Sequence, residues 1–279
     1  MNEFIFNFAP TGMVTSKSTN KYVPLTPQEI AQDVLMGAEL GVNVVHIHAR
    51  DPDTGHPTYK KDIYAEIIQE IRKYHKDLVI CVSTSGREWT DFEKRSQVLS
   101  LNSEVKPDLA SLTLGSLNFS NQASINGPRI IHQLASEMKR QNIRPELEVF
   151  DPGMINYAKY LIKKGILTPP YYFNIILGNI ASAQADMVSL GLMLRELPAD
   201  SYWSVGGVGS PQQLQMNVLG LLFSGGVRTG LEDNIWLDAQ KKEMASNYDI
   251  VSRIAKIAQI MQMKPYSHKT TRKILGVDP

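Results

Sequence analysis

The sequence predicts a (β/α)8 barrel, the TIM-barrel fold class, built as a single domain over residues 1–279 with a C-terminal extension at about residues 265–279. Three observations support this prediction. Short apolar runs alternate with longer amphipathic segments eight times, the connections between them are short, and no stretch rich in Pro, Gly and Ser divides the chain. A doubly wound sheet is the weaker alternative, because no G-x-G-x-x-G motif follows the first strand.

The first half of the chain contains four strand and helix units. Thr26 and Glu29 have the spacing of a capping box and Pro27 occupies the first helical position, so the start of the first helix is well defined. The other elements follow from β-branched runs and from apolar residues at helical spacing. The predicted strands are 4–8, 42–47, 78–82 and 109–114, and the predicted helices are 27–41, 62–74, 91–99 and 128–140.

The second half repeats the alternation. The predicted strands are 147–150, 171–177, 202–205 and one around Val227, and the predicted helices are 154–164, 183–194, one that begins at 210–213 and a long one at 238–261. The C-terminal extension has too few apolar residues to form a domain of its own. We therefore expect it to pack on a neighbouring subunit.

Composition excludes several classes of function. Lys and Arg number 29 against 28 Asp and Glu, so no basic excess would attract nucleic acid. No apolar stretch approaches the ~20 residues of a transmembrane helix, and the first residues lack a signal-peptide pattern. The single cysteine, Cys81, cannot form an internal disulfide. We expect a cytoplasmic protein that acts on small molecules and has no nucleic-acid or membrane partner.

Two strand ends carry candidate metal ligands. His46 and His48 end the second strand, and side-chain alternation points both imidazoles to one face, where they suit a divalent metal. The eighth strand lies two places away in a closed barrel and is followed by Glu232, which would complete a His/His/Glu site with an open position. Arg228 and Asp233 stand in the same segment. The alternatives are ordinary hydrogen-bonded histidines and a solvated, salt-bridged loop.

Polar residues also end the third, fourth and fifth strands. Polar side chains that face a barrel interior are costly unless they are paired or functional, so they favour a polar pocket over a sealed core. They are Ser83, Thr84 and Gly86 after the third strand, Ser111 and Thr113 on the fourth, and Glu146 and Glu148 on the fifth.

A glycine-rich segment follows the seventh strand and opens a helix. Gly207, Gly209 and Ser210 stand where backbone amides and a helix N-terminus can hold a phosphate group. The alternative is a tight turn without a ligand.

The absence of lysine and of further histidines at certain strand ends disfavours two other enzyme classes. No lysine stands at the end of a predicted strand, which argues against a Schiff-base aldolase. A metal hydrolase of the amidohydrolase type also carries H-x-H in a barrel, but it would need further ligands after the fifth or sixth strand. The remaining histidines lie elsewhere, at positions 56, 75, 132 and 268.

Taken together, these residues resemble the β-keto acid cleavage enzymes, a family of zinc-dependent barrel proteins. The resemblance runs almost end to end. The motifs that carry it are Thr11-Gly12, PLTPQEI at 24–30, HIHARD at 46–51, Ser83-Thr84, GSLNF at 115–119, PELE at 145–148 and RTGLEDN at 228–234.

The resemblance implies a reaction and a set of roles. Family members convert a β-keto acid and acetyl-CoA into acetoacetate and a new CoA thioester through a retro-Claisen cleavage, and they assemble as homo-oligomers, commonly tetramers. The expected site has one Zn²⁺ on His46, His48 and Glu232, and the catalytic residues Asp233, Arg228, Ser83 and Ser111. Substrate binding is expected at Thr11, Thr84, Gly86, Thr113 and Glu148, and acetyl-CoA binding at Gly207, Gly209 and Ser210.

Two positions depart from the family pattern. Val14 stands where the member that acts on an amino-bearing keto acid has a glutamate, which favours a substrate with a different, neutral or apolar side chain. Ser210 replaces an arginine that often follows the glycines.

Two alternative functions use the same site. One is a hydrolase or lyase that needs the metal but not CoA, and the other is a binding barrel with a structural metal. Dependence of turnover on CoA distinguishes them.

Overall fold

A computed structural model describes residues 2–277 and shows a closed barrel of eight parallel strands. The strands are, in chain order, β1 (Glu3–Phe4), β2 (Phe6–Phe8), β3 (Val44–Ile47), β4 (Val79–Val82), β5 (Leu109–Thr113), β6 (Leu117–Asn118), β7 (Ala123–Ser124), β8 (Arg144–Val149), β9 (Tyr171–Leu177), β10 (Ser201–Gly207), β11 (Gly226–Thr229) and β12 (Lys264–Pro265). The barrel closes in the order β2, β3, β4, β5, β8, β9, β10 and β11. The predicted TIM-barrel fold is confirmed.

Helices surround the barrel and bury their apolar faces against its outer surface. They are α1 (Pro27–Glu39), α2 (Lys61–Arg72), α3 (Phe92–Arg95), α4 (Pro128–Arg140), α5 (Pro152–Lys163), α6 (Met187–Glu196), α7 (Gln212–Leu222), α8 (Asn247–Ile260) and α9 (His268–Ile274). The predicted capping box is present, since the Thr26 hydroxyl accepts the Glu29 N–H at 3.2 Å. Within residues 2–277, no helix combines the length and the apolar character that crossing a membrane requires.

Three predicted helices differ most from the structure, and local hydrogen bonds explain the two whose starts move. The helix predicted at 238–261 begins only at Asn247, since the Asp238 carboxylate accepts the backbone N–H groups of Lys242 and Glu243 and holds a turn. The helix predicted at 183–194 begins at Met187 and is capped by the residue before it. The helix predicted at 91–99 is one α-helical turn followed by a 3-10 turn.

Strand predictions differ from the structure in three ways. The first predicted strand is divided, with β1 leaving the barrel to pair with β12 while β2 stays in it. Strands β8 and β10 begin earlier than predicted. The hairpin β6–β7, which was not predicted, follows β5 on the carboxyl side of the barrel.

The C-terminal segment closes the amino-terminal end of the chain's own barrel. Leu275 is buried in a cluster with side chains of the barrel strands, and the His268 ring bonds the Val42 carbonyl at 3.0 Å. Residues 265–277 thus pack on their own barrel in the single chain, and their predicted contact with a neighbouring subunit stays a prediction. Asp278 and Pro279 lie outside the described residues.

Candidate active site

The carboxyl ends of β3 and β11 bring the predicted metal ligands together. Only β2 lies between these two strands in the barrel. His46 and His48 project from the end of β3, while Arg228 and Glu232 follow from β11 and its loop. Gly12, at φ +66°, passes against this loop, and a Cβ atom there would lie 2.6 Å from the Glu232 Cγ. The absence of a side chain at Gly12 therefore leaves room for Glu232.

The spacing of the donor atoms fits a divalent metal ion. The Nε2 atoms of His46 and His48 lie 3.2 Å apart, and the His48 Nε2 lies 3.3 Å from the Glu232 Oε1. Two ligands of a tetrahedral zinc, each at ~2.0–2.1 Å from the ion, are about 3.3 Å apart. The buried Oε2 of Glu232 has no hydrogen-bond partner among the described residues. Such an unpaired carboxylate oxygen is a donor that a cation would satisfy.

A buried carboxylate fixes the orientation of the His46 ring. The His46 Nδ1 donates to the Glu146 Oε2 at 2.6 Å, which leaves Nε2 to face His48. Burial alone would lower the pKa of His46, but the charges of Glu146 and Glu232 raise it to about 9. Asn7 donates to the other oxygen of Glu146 at 2.7 Å and so fixes this carboxylate from below. Glu146 therefore orients a predicted ligand.

The other two ligands carry the charges that metal binding requires. Burial lowers the pKa of His48, which favours the neutral imidazole. Burial raises the pKa of Glu232, but His48 and Arg228 outweigh this effect and hold it well below its usual range. Glu232 is therefore ionised at neutral pH.

Arg228 and Asp233 form a buried pair beside the ligands. The Arg228 Nε donates to the Asp233 Oδ2 at 2.7 Å, and its Nη2 donates to the Glu232 Oε1 at 2.8 Å. Burial raises the pKa of Asp233 while Arg228 acts against this rise, and the net shift is upward. The buried Nη1 of Arg228 has no hydrogen-bond partner among the described residues, and it lies 3.8 Å from the Glu148 Oε1. The pair thus offers a base and an unused donor for developing negative charge.

One cavity of about 470 Å³ opens above this cluster. Eight of the predicted site residues line it, namely His48, Ser83, Thr113, Glu148, Gly209, Arg228, Glu232 and Asp233. His46 lies buried beneath them. Thr113 bonds the Glu148 Oε2 at 2.7 Å, so these two residues form one wall.

Other predicted site residues serve the structure around the cavity. The Ser111 hydroxyl accepts the Thr84 N–H at 3.1 Å, and the Thr84 hydroxyl donates to the Ser111 carbonyl at 2.6 Å, which ties the end of β4 to β5. A Cβ at Gly86 would lie 2.3 Å from the Ile125 carbonyl oxygen, so this glycine permits close packing of two loops. Thr11 is fully buried, and its hydroxyl has no partner among the described residues.

The glycine-rich segment uses its amides within the protein. The Gly209 N–H donates to the Asp233 carbonyl at 2.7 Å, and the Val208 N–H donates to Leu177 at 2.8 Å. The Ser210 hydroxyl donates to the Asp238 carbonyl at 2.9 Å. At Gly207, a Cβ would lie 2.4 Å from the Gln212 carbonyl oxygen. These contacts support the turn, since the amides of Val208 and Gly209 already have acceptors.

Sequence reasoning missed several residues of the cavity wall. Arg87 stacks on Phe119, with its guanidinium carbon 3.6 Å from the ring centre, and both line the cavity. Trp236 and Lys241 line it from the loop after β11. Arg87 follows directly after the polar end of the third strand, which is the signal that identifies it. Phe119 belongs to the unpredicted hairpin, and only the fold brings it to the site.

Comparison with known proteins places the chain in a family. The sequence matches the profile of the beta-keto acid cleavage enzyme family over residues 3–277. It is 33% identical to the 3-keto-5-aminohexanoate cleavage enzyme of Fusobacterium nucleatum over 281 aligned residues, covering 99% of both chains. It is also 33% identical to the 3-oxoadipate:acetyl-CoA acetyltransferase of Cupriavidus necator over 276 residues, covering 98% of this chain and 94% of the relative.

The fold is shared with a solved structure of ObcA without ligand. The TM-score is 0.79 at 20% identity, and the match covers 91% of this chain. It covers 65% of ObcA, so the chain spans slightly less than two thirds of that protein. This likeness supports the fold alone.

The prediction of an acyltransferase is confirmed by the family match together with the relatives named as acetyl-CoA transferases. The family resemblance stated from the motifs is confirmed over almost the whole chain. The buried His/His/Glu cluster and its neighbouring Arg–Asp pair therefore lie in a member of the β-keto acid cleavage enzyme family.

Proposed function

We propose that the protein is a zinc-dependent acyltransferase that converts a β-keto acid and acetyl-CoA into acetoacetate and a new acyl-CoA. The observation that carries this proposal is the position of the His46, His48 and Glu232 cluster beside the Arg228–Asp233 pair, at the floor of one open cavity. Family membership and the relatives that are acetyl-CoA transferases support it.

His46, His48 and Glu232 would hold the metal, because their ligand atoms lie within 4.8 Å of one another. A bound zinc ion supplies Lewis-acid polarisation of the keto and carboxylate oxygens of the substrate. Two imidazoles and a carboxylate also suit other divalent ions, so the assignment of zinc rests on the family. Glu146 contributes by fixing the orientation of His46.

Asp233 would remove the α-proton of the β-keto acid. Its raised pKa makes it a stronger base than an exposed carboxylate, and Arg228 holds it in place through a 2.7 Å hydrogen bond. The free Nη1 of Arg228 would donate to the oxygen on which negative charge develops. The Ser83 hydroxyl accepts the Ser85 N–H at 3.2 Å, which leaves its own proton for a substrate oxygen.

In the proposed reaction, each bond that forms is matched by one that breaks. The α-carbon forms a bond to the thioester carbonyl of acetyl-CoA, and CoA leaves as the thiolate. The thiolate then attacks the former ketone carbon, and the bond from that carbon to the α-carbon breaks. The products are acetoacetate, which keeps the original carboxylate, and the acyl-CoA of the remaining chain. The α-proton is thus lost and regained, and no oxidant or reductant is needed.

The test is an assay of purified, metal-quantified protein with acetyl-CoA and a panel of β-keto acids, scored by release of acetoacetate. We expect product only when acetyl-CoA is present, and loss of product after chelation that zinc restores. Turnover of a keto acid without acetyl-CoA would contradict the proposal and favour a CoA-independent hydrolase or lyase. Stoichiometric metal with no turnover of any acid would favour a binding barrel.

We also propose that the protein forms a homo-oligomer, with a tetramer as the expected state. Three apolar side chains at and before the start of α6 support an interface, since Ile180, Met187 and Val188 are 73%, 64% and 82% exposed in the single chain. Light scattering of the purified protein measures the mass. A monomeric mass at micromolar concentration would contradict the proposal.

A further inference from the structure

Arg87 places a positive charge in the cavity without a bonding partner. Its guanidinium carbon lies 3.6 Å from the centre of the Phe119 ring. Within residues 2–277, this guanidinium makes no hydrogen bond and no ion pair. Stacking holds the flat group in place and leaves its N–H donors, which lie in the guanidinium plane, free for a ligand.

Two other arginines near the same rim have a structural role, because they donate hydrogen bonds to the backbone. Arg50 donates to the backbone carbonyls of Gly12, Gly55 and Thr15. Arg95 likewise donates to two backbone carbonyls and to one side-chain amide oxygen. Arg87, eight positions before Arg95 in the connection between β4 and β5, has no such acceptors within residues 2–277, so its guanidinium is not explained by support of a loop.

Arg87 lines the same cavity as Glu148, Arg228 and Asp233. Burial lowers the pKa of its guanidinium, and the charges of Glu232, Glu148 and Asp233 act in the opposite direction. The group therefore lies within electrostatic range of the carboxylates on the cavity floor. Glu88, next in the chain, also lines the cavity, but it is exposed and accepts a bond from Gln122, so water screens its charge from an anion at Arg87.

We propose that Arg87 binds a second carboxylate at the far end of the β-keto acid, so that the enzyme prefers dianionic β-keto acids. This inference rests on the proposed function. The phosphates of acetyl-CoA are separated from its thioester by the long pantetheine arm, so a cation beside the reacting carboxylates meets the keto acid. The apolar wall at Met13, Val14 and Leu117 offers no acid to pair with an ammonium group.

The proposal changes the expectation drawn from Val14. That residue argued only against a cationic substrate and favoured a neutral or apolar side chain. Arg87 adds a reason for preferring an anion, because a half-buried cation in the same cavity favours an anionic end group over a methyl group.

The test compares two six-carbon β-keto acids that differ only at the far end, 3-oxoadipate with a carboxylate and 3-oxohexanoate with a methyl group. A hydrogen bond to a charged group predicts a kcat/KM about tenfold to a hundredfold higher for the diacid. Arg87→Gln should remove most of this preference through KM, whereas Arg87→Lys should keep part of it. A wild-type preference for the monoacid would overturn the proposal.

Lys241→Gln is the matched control, because Lys241 is an exposed cation that lines the same cavity. It should leave the ratio of diacid to monoacid unchanged. An equal loss of the ratio in both variants would overturn a direct contact. A rise in KM for acetyl-CoA in Arg87→Gln, with the diacid preference intact, would assign Arg87 to the CoA phosphates and overturn the proposal.

Calorimetry without acetyl-CoA separates this inference from the proposed function. Both acids are titrated into metal-loaded wild type and Arg87→Gln, where no transfer takes place. Tighter binding of the diacid that depends on Arg87 would support the contact even if the assay showed no acyl transfer. Equal binding of both acids would overturn the inference and leave acyl transfer untouched. Circular dichroism and metal content establish that the variants are folded and loaded.

Discussion

The two ends of the barrel differ in how completely their buried charged groups are hydrogen-bonded. At the amino-terminal end, Asp108 accepts hydrogen bonds from Arg72 and Arg272 and from one backbone amide, and α9 covers the neighbouring strands. At the carboxyl end, Arg228 Nη1 and Glu232 Oε2 are also inaccessible to solvent but have no hydrogen-bond partner among the described residues.

This difference supports the proposal that ligands bind at the carboxyl end of the barrel. A buried charge with a complete set of partners contributes to the folded state, and removal of one partner is costly. A buried charge with an unused donor or acceptor reduces stability unless a ligand supplies the missing contact. Substitutions at the carboxyl end should therefore affect binding and turnover, whereas substitutions at the amino-terminal end should affect stability.

The largest effect is expected from His48→Ala. This substitution removes one of three ligands, so bound metal should fall from about one ion per subunit to near zero and turnover should fall to background. Elemental analysis after gel filtration, together with the acetoacetate assay, measures both. The exposed His56→Ala is the control and should keep metal and activity. Full metal content in His48→Ala would show that the ion is held elsewhere.

Asp233→Asn should separate chemistry from metal binding. Loss of a general base lowers turnover by about 10²–10⁴-fold, whereas the His46, His48 and Glu232 ligands are unchanged and metal content should stay near that of the wild type. The assay and elemental analysis are run on the same preparation. Activity within about threefold of the wild type would exclude Asp233 as the base.

Glu146→Gln tests whether the carboxylate below the proposed ligands increases their affinity for the metal. Removal of the charge that holds the His46 Nδ1 should weaken metal affinity by about 10–100-fold. Competition with a chromogenic chelator measures the dissociation constant. An unchanged affinity would mean that Glu146 only fills space in the barrel.

The His46–Glu146 pair predicts that the stability of the metal-free protein depends on pH. The pKa of His46 is raised from 6.5 to about 9, so protonated His46 stabilises the fold fully below pH 6.5, and this contribution is lost as the pH rises through about 9. The loss is on the order of 3 kcal/mol. Urea unfolding of metal-free protein between pH 6 and pH 10 measures it. The slope should flatten in Glu146→Gln, and an unchanged slope would assign it to other groups.

The smallest effect on turnover is expected from Asp108→Asn. A buried carboxylate that loses its charge while two arginines face it should lower the free energy of unfolding by about 3–5 kcal/mol. The kcat/KM should stay within about twofold of the wild type, because the residue lies at the opposite end of the barrel. Denaturant unfolding and the assay test both statements. A large loss of turnover in stable protein would contradict the assignment of Asp108 to stability alone.

Local patterns were sufficient for most of the fold. Capping signals and β-branched runs produced the order of strands and helices, and the spacing of His46 and His48 indicated a shared face. The pattern misled at 238–246, where a helical composition is overridden by the hydrogen bonds of Asp238. At the C-terminus, composition alone did not reveal that the segment closes its own barrel, because that depends on which surface lies nearby.

The fold class and the proposed ligand set follow from the order of the residues, since the strand ends of a barrel meet at one rim whatever the loops contain. Only the tertiary structure decides which charged groups lack a hydrogen-bond partner. Arg87 and Arg95 belong to one polar stretch of sequence, yet only Arg95 meets backbone acceptors, while Phe119 arrives from another loop to stack on Arg87. Periodicity is a local property of the chain, but the pairing of a buried charge depends on neighbours that are distant in sequence.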